Sequence, residues 1–309
     1  MRRLEKILKW TGLVLLIIVA GVSAITAARQ NVKYNAPYPA IKASKDSAAI
    51  ARGKHLMTSV AHCTDCHSKP NADSLIKIGQ DPILHGGMAF NLPVGTIYSA
   101  NITSDSTYGI GKFTDAEIAR ALRYGVHPDG TDVYDFMPFH NLSDEDLTAV
   151  LSYLRTQKPV AYKKPDNQLN LIGNIVKAFL IKPVGPSETI AAAVKPDTTA
   201  AYGKYLVLNV GNCSGCHTKR SLSGEYTGEL LAGGNPMGHG IVPPNLTPDS
   251  TSRIFGWSEK VFVNRFRMGK LNANSEMPWE SFKRMNDNEL KAIYNYLQTV
   301  KPAKMIVAK

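Results

Sequence analysis

All four cysteines of this 309-residue chain lie in two pentapeptides, Cys63-Thr64-Asp65-Cys66-His67 and Cys213-Ser214-Gly215-Cys216-His217. A Cys-x-x-Cys pair serves as a disulfide framework, half of a zinc site, a thiol redox pair or a covalent haem attachment site. The histidine directly after each pair separates these readings. A Cys2His2 zinc site needs its histidines spaced apart from each other and from the cysteines, because four ligands converge tetrahedrally on one ion. Neither pentapeptide has that layout. A redox pair expects alternating strands and helices around it, a pattern this chain lacks. Four cysteines are also few for a disulfide framework in a chain of this length. Haem attachment accounts for every position: Cys63 and Cys66 form thioethers to the two vinyl groups, and His67 reaches the iron. Cys213, Cys216 and His217 repeat the arrangement, so two covalently attached haem c groups are expected.

The flanking sequence repeats with the pentapeptides. Residues 52–67 (RGKHLMTSVAHCTDCH) align without a gap to 202–217 (YGKYLVLNVGNCSGCH), and residues 101–125 to 245–269. Residues 136–160 align to 276–303 with a short insertion in the second copy. Two domains of one kind follow, over 44–160 and 196–303. Each copy reads as helical. Thr114 opens a capping box before a helix that ends at Gly125, and Ser258 opens its counterpart, ending at Gly269. Leu147, Val150, Leu151 and Leu154 form an apolar stripe at helical spacing, as do Leu290, Ile293, Tyr294 and Leu297. Each of these last helices stops just before a proline, Pro159 or Pro302. Strand-like alternation is scarce, so the expected fold class is all-α: two tandem domains with long loops around a flat cofactor.

Residues 1–28 form a separate segment. The apolar run 10–28 is about long enough to cross a bilayer, and Arg2, Arg3, Lys6 and Lys9 precede it. It reads as a membrane anchor with its start in the cytoplasm. A cleaved signal peptide is the competing reading, since 22–24 and 26–28 resemble cleavage sites, although the run exceeds the about 7–15 residues usual for such peptides. Both readings export the rest of the chain. Residues 161–195 join the copies and contain a short apolar helix candidate, 169–181, too short to span a membrane. It reads as a connector packed across the junction, or as a contact for a membrane surface or partner.

The net charge of +11 is unevenly spread. Residues 1–28 and 29–43 each carry +3. Residues 44–157, with nine basic and thirteen acidic groups, carry −4, whereas 158–196 carry +4 and 197–309 carry +5. Nucleic acid is a poor partner for such a chain. An acidic first copy and a basic second copy suit docking to two unlike proteins, or are solvated faces with no assigned partner.

With histidine on one side of the iron, the sixth ligand separates electron transfer from small-molecule chemistry. Met137 and Met277 occur at matching places in the repeat, each followed by proline and an aromatic residue. They are the candidate ligands opposite His67 and His217. Met88 and Met237 also occur in both copies, but at different offsets. His85 would offer bis-histidine ligation, yet its counterpart is not a histidine. His55, His62, His127, His140 and His239 likewise do not repeat and read as surface or propionate-side residues.

The order Cys-x-x-Cys-His, Gly-Gly, Asn-(Ile/Leu)-Thr, Gly-x-(Phe/Trp)-(Ser/Thr), Met-Pro and an amphipathic helix resembles the cytochrome c subunits of membrane-bound alcohol and gluconate dehydrogenases. The resemblance covers residues 46–303. It implies an exported electron carrier, not an enzyme, on the periplasmic side of the cytoplasmic membrane, between a donor dehydrogenase and an acceptor oxidase or cytochrome. Those subunits typically carry three haems, and the motifs here provide for two. By the same resemblance Asn101 and Asn245 lie beside the haem, near a propionate. Dihaem cytochrome c peroxidases have similarly spaced motifs but need an open iron position, which two matched Met-Pro segments oppose. Dihaem thiosulfate dehydrogenases use a further cysteine as ligand, and this chain has none to spare.

Overall fold

The computed structural model describes residues 2–68, 71–134, 136–221, 224–237 and 240–305. The first half contains α1 (Arg2–Ala28), α2 (Ser47–Thr58), α3 (Cys63–His67), α4 (Ala72–Lys77), β1 (Ala89–Leu92), β2 (Gly95–Tyr98), α5 (Asp115–Tyr124) and α6 (Asp144–Thr156). The connecting segment contributes β3 (Gln168–Leu169) and α7 (Leu171–Phe179). The second half follows with α8 (Ala200–Tyr205), a π turn over 206–210, α9 (Cys213–His217), α10 (Glu259–Arg267), α11 (Trp279–Phe282) and α12 (Asp287–Thr299).

The helix signals in the sequence are realised. Thr114 and Glu117 form the capping box of α5, Gly125 ends it in the left-handed conformation, and Ser258 caps α10. The stripe on α6 is buried at Leu147, Val150, Leu151 and Leu154, and that on α12 at Leu290, Ile293 and Leu297. The all-α expectation is corrected by a small antiparallel sheet in the order β1-β2-β3. Pro93 and Val94 turn the chain between β1 and β2, and the register runs from Ala89 opposite Tyr98 to Leu92 opposite Gly95. Each of these strands has four residues, too few for a period of two to stand out. The partner β3, Gln168–Leu169, lies in the connecting segment.

Both halves are built on one helix crossing. Gly53 of α2 meets α6 so closely that a Cβ there would lie 1.9 Å from the Ala149 carbonyl oxygen and 2.9 Å from Cβ of Tyr153. Gly203 of α8 meets α12 in the same way, at 1.9 Å from the Ala292 carbonyl and 2.8 Å from Cβ of Tyr296. Helix backbones touch at both crossings, which only a residue without a side chain allows.

One continuous apolar core runs through both halves, from Leu56, Val60 and Leu147 to Leu206, Val210 and Leu290. Along the junction it carries a buried polar network with approximate twofold symmetry. Arg52 makes a bidentate pair with Asp146 (2.8 and 3.0 Å) and reaches the Tyr202 hydroxyl at 3.4 Å. The Tyr205 hydroxyl donates to Asp146 at 2.8 Å and accepts the Ser143 N–H at 3.1 Å. In the mirrored contact His55 Nε2 bonds Glu289 at 2.8 Å. Asp146 and Glu289 are equivalent in the repeat, as are Tyr205 and His55. Each half therefore supplies an acid to the other.

The apolar segment 169–181, read from sequence as a connector packed across the junction, packs among the described residues on the first half instead. Its helix α7 is tied to the end of α1 and to the β1–β2 turn, through Arg29, Gln30 and Val94.

Candidate functional site

Each Cys-x-x-Cys-His stretch is a single helical turn, α3 or α9, entered through a left-handed residue: His62 (φ 39°) and Asn212 (φ 48°). A wide backbone bond precedes each, from Ala61 N–H to the Leu56 carbonyl (2.9 Å) and from Gly211 N–H to the Leu206 carbonyl (2.7 Å). Residues three apart are neighbours on a helix surface, so both cysteines of a pair share one side of their turn. None of the four is in a disulfide, and all are half-buried. Burial pushes Cys63 and Cys213 up to about 12 and Cys66 up to about 11. Thiol redox pairs depend on the opposite shift.

The two histidines are held identically. His67 Nδ1 lies 2.8 Å from the Ala100 carbonyl oxygen, and His217 Nδ1 lies 2.8 Å from the Pro244 carbonyl oxygen. A carbonyl only accepts, so Nδ1 carries the proton and donates. Burial lowers both imidazole pKa values and keeps the rings neutral. In a neutral ring protonated at Nδ1, Nε2 holds a free lone pair, the form in which histidine binds a metal. The turns are fastened to the same loop by further matched bonds. Gly86 N–H donates to the His67 carbonyl (2.8 Å) and Gly233 N–H to the His217 carbonyl (2.7 Å). These glycines have φ of +69° and +75°, and a Cβ would lie 2.2 Å from the Ala100 oxygen or 2.6 Å from the Pro244 carbonyl carbon.

These residues fit covalent haem attachment: paired thiols on one turn, then a neutral imidazole with its outer nitrogen available. An orphaned polar group lies alongside. His85, next to Gly86, is 8 % exposed, and neither ring nitrogen has a hydrogen-bond partner among the described residues. Its ring packs on Tyr162 at 4.6 Å. The matched loop bonds make Ala232 its counterpart, so this histidine is particular to the first half. Among the described residues no three His, Cys, Asp or Glu side chains converge as a zinc-type cluster does.

Met137 and Met277 sit in matching turns. The Phe139 N–H donates to the Met137 carbonyl (2.8 Å) across Pro138, and the Trp279 N–H to the Met277 carbonyl (2.7 Å) across Pro278. Both methionines are half-buried. Met88 and Met237 differ from each other: Met88 directly follows the Gly-Gly and its N–H donates to Ser99 Oγ (3.0 Å), whereas Met237 lies two residues further on and its N–H donates to the Ile241 carbonyl (2.8 Å).

Asn101 and Asn245 are committed to the polypeptide. The Asn101 amide accepts from the Thr103 N–H (3.0 Å) and donates to the Val160 and Tyr162 carbonyls (2.9 and 3.1 Å). Asn245 accepts from the Thr247 N–H (2.8 Å) and donates to the Ala303 carbonyl (2.6 Å) and Thr251 hydroxyl (3.3 Å). Both amide hydrogens are used in each case. Their work is to tie the segment after the last helix back to the loop. The other non-repeating histidines are not uniformly at the surface: His140 is buried, His55 reaches across the junction, and His239 lies outside the described residues.

The insertion in the second copy has a place that its sequence did not disclose. It forms α11 and the turn after it, against the first attachment turn. Ser281 Oγ donates to Asp65 (2.8 Å), Arg284 Nε to the Thr58 carbonyl (2.7 Å), and Phe282 meets the His62 ring edge-on at 5.4 Å. Burial raises Asp65 to about 6 despite these donors, and burial lowers His62 to about 4.

No family model matches the chain. It is 30 % identical over 278 residues to the quinone-dependent alcohol dehydrogenase cytochrome c subunit of Gluconobacter oxydans, covering 82 % of this chain and 55 % of that protein. To the gluconate 2-dehydrogenase cytochrome c subunit of Pantoea cypripedii it is 30 % identical over 286 residues, covering 82 % and 60 %. To a dihaem c-type cytochrome of Cereibacter sphaeroides it is 29 % identical over 252 residues, covering 77 % and 81 %. The chain spans a little over half the length of the dehydrogenase subunits it matches. It is a homologue of the cytochrome c subunits of dehydrogenases and of this dihaem c-type cytochrome.

Proposed function

We propose that this chain is a membrane-anchored dihaem c-type cytochrome that passes single electrons between a dehydrogenase donor and a respiratory acceptor at the periplasmic face of the cytoplasmic membrane. The two halves, 44–160 and 196–303, act as tandem cytochrome c domains. Cys63 and Cys66 hold one haem and Cys213 and Cys216 the other. His67 with Met137 would ligate one iron, and His217 with Met277 the other. Bound haem supplies reversible one-electron exchange at iron.

The observation that carries this reading is the matched imidazole: Nδ1 donating to a backbone carbonyl at 2.8 Å in both halves, with a neutral ring. Each carbonyl fixes the tautomer and the ring plane, so little rearrangement accompanies ligation. The matched Met-Pro turns hold a thioether in the same local backbone twice. With histidine and methionine both bound, small molecules would be kept from the metal, which suits a carrier and opposes turnover of peroxide.

The 27-residue helix α1 supports an anchor. Its apolar stretch, 10–28, measures about 28 Å at 1.5 Å per residue, close to the roughly 30 Å of a bilayer's hydrocarbon core. Four basic residues precede it, which orients the remainder outward. The acidic first half and basic second half favour different docking partners. Reversing charges in one half should change the salt dependence toward one partner only; equal effects on every partner would remove this part of the reading.

The direct test is intact mass under denaturing conditions. Two retained haems are expected, falling to one on losing Cys63 and Cys66 together or Cys213 and Cys216 together. Fewer than two in the native protein, or efficient peroxide turnover, would overturn the proposal.

A further inference from the structure

Helix α7 carries an apolar face that is largely exposed among the described residues. Leu171, Ile172, Ile175 and Phe179 share one side of the helix and are 75, 62, 36 and 39 % exposed, and Leu180 beyond them is 60 % exposed. The helix is nevertheless firmly held from its other sides. Asn170 caps it by accepting the Gly173 N–H, and grips the β1–β2 turn through the Val94 carbonyl (3.1 Å) and the Pro93 carbonyl (2.8 Å).

Its remaining attachment is to the end of α1. Arg29 Nε donates to the Ala178 carbonyl (2.8 Å) while its guanidinium lies 5.5 Å from the Phe179 ring centre. Gln30 donates to the Asn174 carbonyl (2.9 Å). Thr26, one turn before, is the buried residue of α1. The hydrocarbon-length stretch of α1 ends at Ala28, and one helical turn is about 5 Å. The headgroup zone beyond a bilayer's hydrocarbon core is about 5–7 Å deep on each side. The bonds from Arg29 and Gln30 therefore tie α7 to the turn of chain that directly follows the apolar stretch of α1, within the depth of that zone.

We propose that α7 lies in the outer-leaflet interface, its apolar face among the upper acyl chains, and so sets the orientation of the rest of the chain on the membrane. This rests on the anchored reading above. Continuity with α1 selects a lipid surface over a protein partner, and charge agrees: the connecting segment that contains α7, residues 158–196, carries +4. Apolar and basic residues together are the composition of helices that lie on anionic bilayers. A second contact besides the spanning helix would stop the electron-carrying part from swivelling and would limit which face partners can reach.

The test uses the full chain in nanodiscs of phosphatidylethanolamine and phosphatidylglycerol, with the photo-crosslinker p-benzoylphenylalanine replacing Ile172, Leu16 or Tyr108 in separate preparations. All three sites are exposed, so folding is retained. After irradiation, lipid adducts are counted by mass. The proposal expects yields at 172 within about threefold of those at 16 and about tenfold above those at 108. Adducts at 16 with only the Tyr108 background at 172 would overturn it and leave the anchor intact. Links from 172 to a second protein chain would also overturn it. Absence of lipid adducts at 16 would overturn the anchored reading itself.

Discussion

Replacing Gly53 by Ala sets two effects of opposite sign against each other. In an exposed helix, Gly→Ala stabilises by about 1 kcal/mol through backbone entropy. At Gly53 the new Cβ would lie 1.9 Å from the Ala149 carbonyl oxygen and 2.5 Å from its carbon. The obstructing atoms are backbone, so no rotamer change relieves the contact, and α2 and α6 must separate. Overpacking of a tight core costs about 1–3 kcal/mol, and an immovable partner places this case at the upper end. The net expectation is a loss of about 2 kcal/mol, or a fall in Tm of roughly 4–8 °C for two halves that share one core and unfold together. Gly203→Ala should behave alike, since its Cβ would meet the Ala292 carbonyl at the same 1.9 Å. Thermal and guanidinium unfolding followed by far-UV circular dichroism measure both. A rise in stability for either variant would show that the helices do not cross at backbone contact, and would refute the argument.

Three other outcomes can be checked. Tyr205→Phe removes a hydroxyl that donates to Asp146 and accepts the Ser143 N–H; a loss of about 2–4 kcal/mol is expected, and less than about 0.5 kcal/mol would mean the junction network contributes little. His62→Asn copies the residue found at the equivalent left-handed position, Asn212. Because burial holds the folded His62 at about 4, the unfolded chain binds the extra proton first, and stability falls as pH drops from about 6.5 toward 4. Asp65, raised to about 6, acts in the opposite sense. The variant should therefore lose about 1–2 kcal/mol less than the native protein between pH 7.5 and 5, and an unchanged slope in pH-dependent unfolding would contradict the assignment. Arg284→Ala removes bonds to the Thr58 carbonyl and Asp73 and should cost about 1–3 kcal/mol without altering the haem count; loss of the first haem would show that α11 is needed to form that site.

What could be read from sequence divides along a physical line. Local signals were legible: the capping box at Thr114, the stop at Gly125, the stripes on α6 and α12, and the repeat that pairs His67 with His217. Each depends on residues close in sequence. Arg52, Asp146 and Glu289 look like ordinary helix-surface charges, and only the packing of one half on the other buries them together. The resemblance places Asn101 and Asn245 beside the cofactor but does not disclose that their side chains bond carbonyls about 60 positions away, a distance at which motif spacing carries no information. The β1–β2 hairpin escaped notice because four-residue strands show too little alternation, and its third strand comes from the connecting segment. For α7 the apolar composition was plain, but its neighbour is α1, about 145 residues upstream.

The central claim is that both irons carry one histidine and one methionine, making the chain an electron carrier with no open metal position. The most direct measurement is the methionine-ligation charge-transfer band of the oxidised protein, quantified per haem. The account predicts an intensity equal to two such haems, falling to half in Met137→Ala and likewise to half in Met277→Ala, each made singly. A band worth one haem, a high-spin signal in the native protein, or an intensity that neither substitution changes would contradict it.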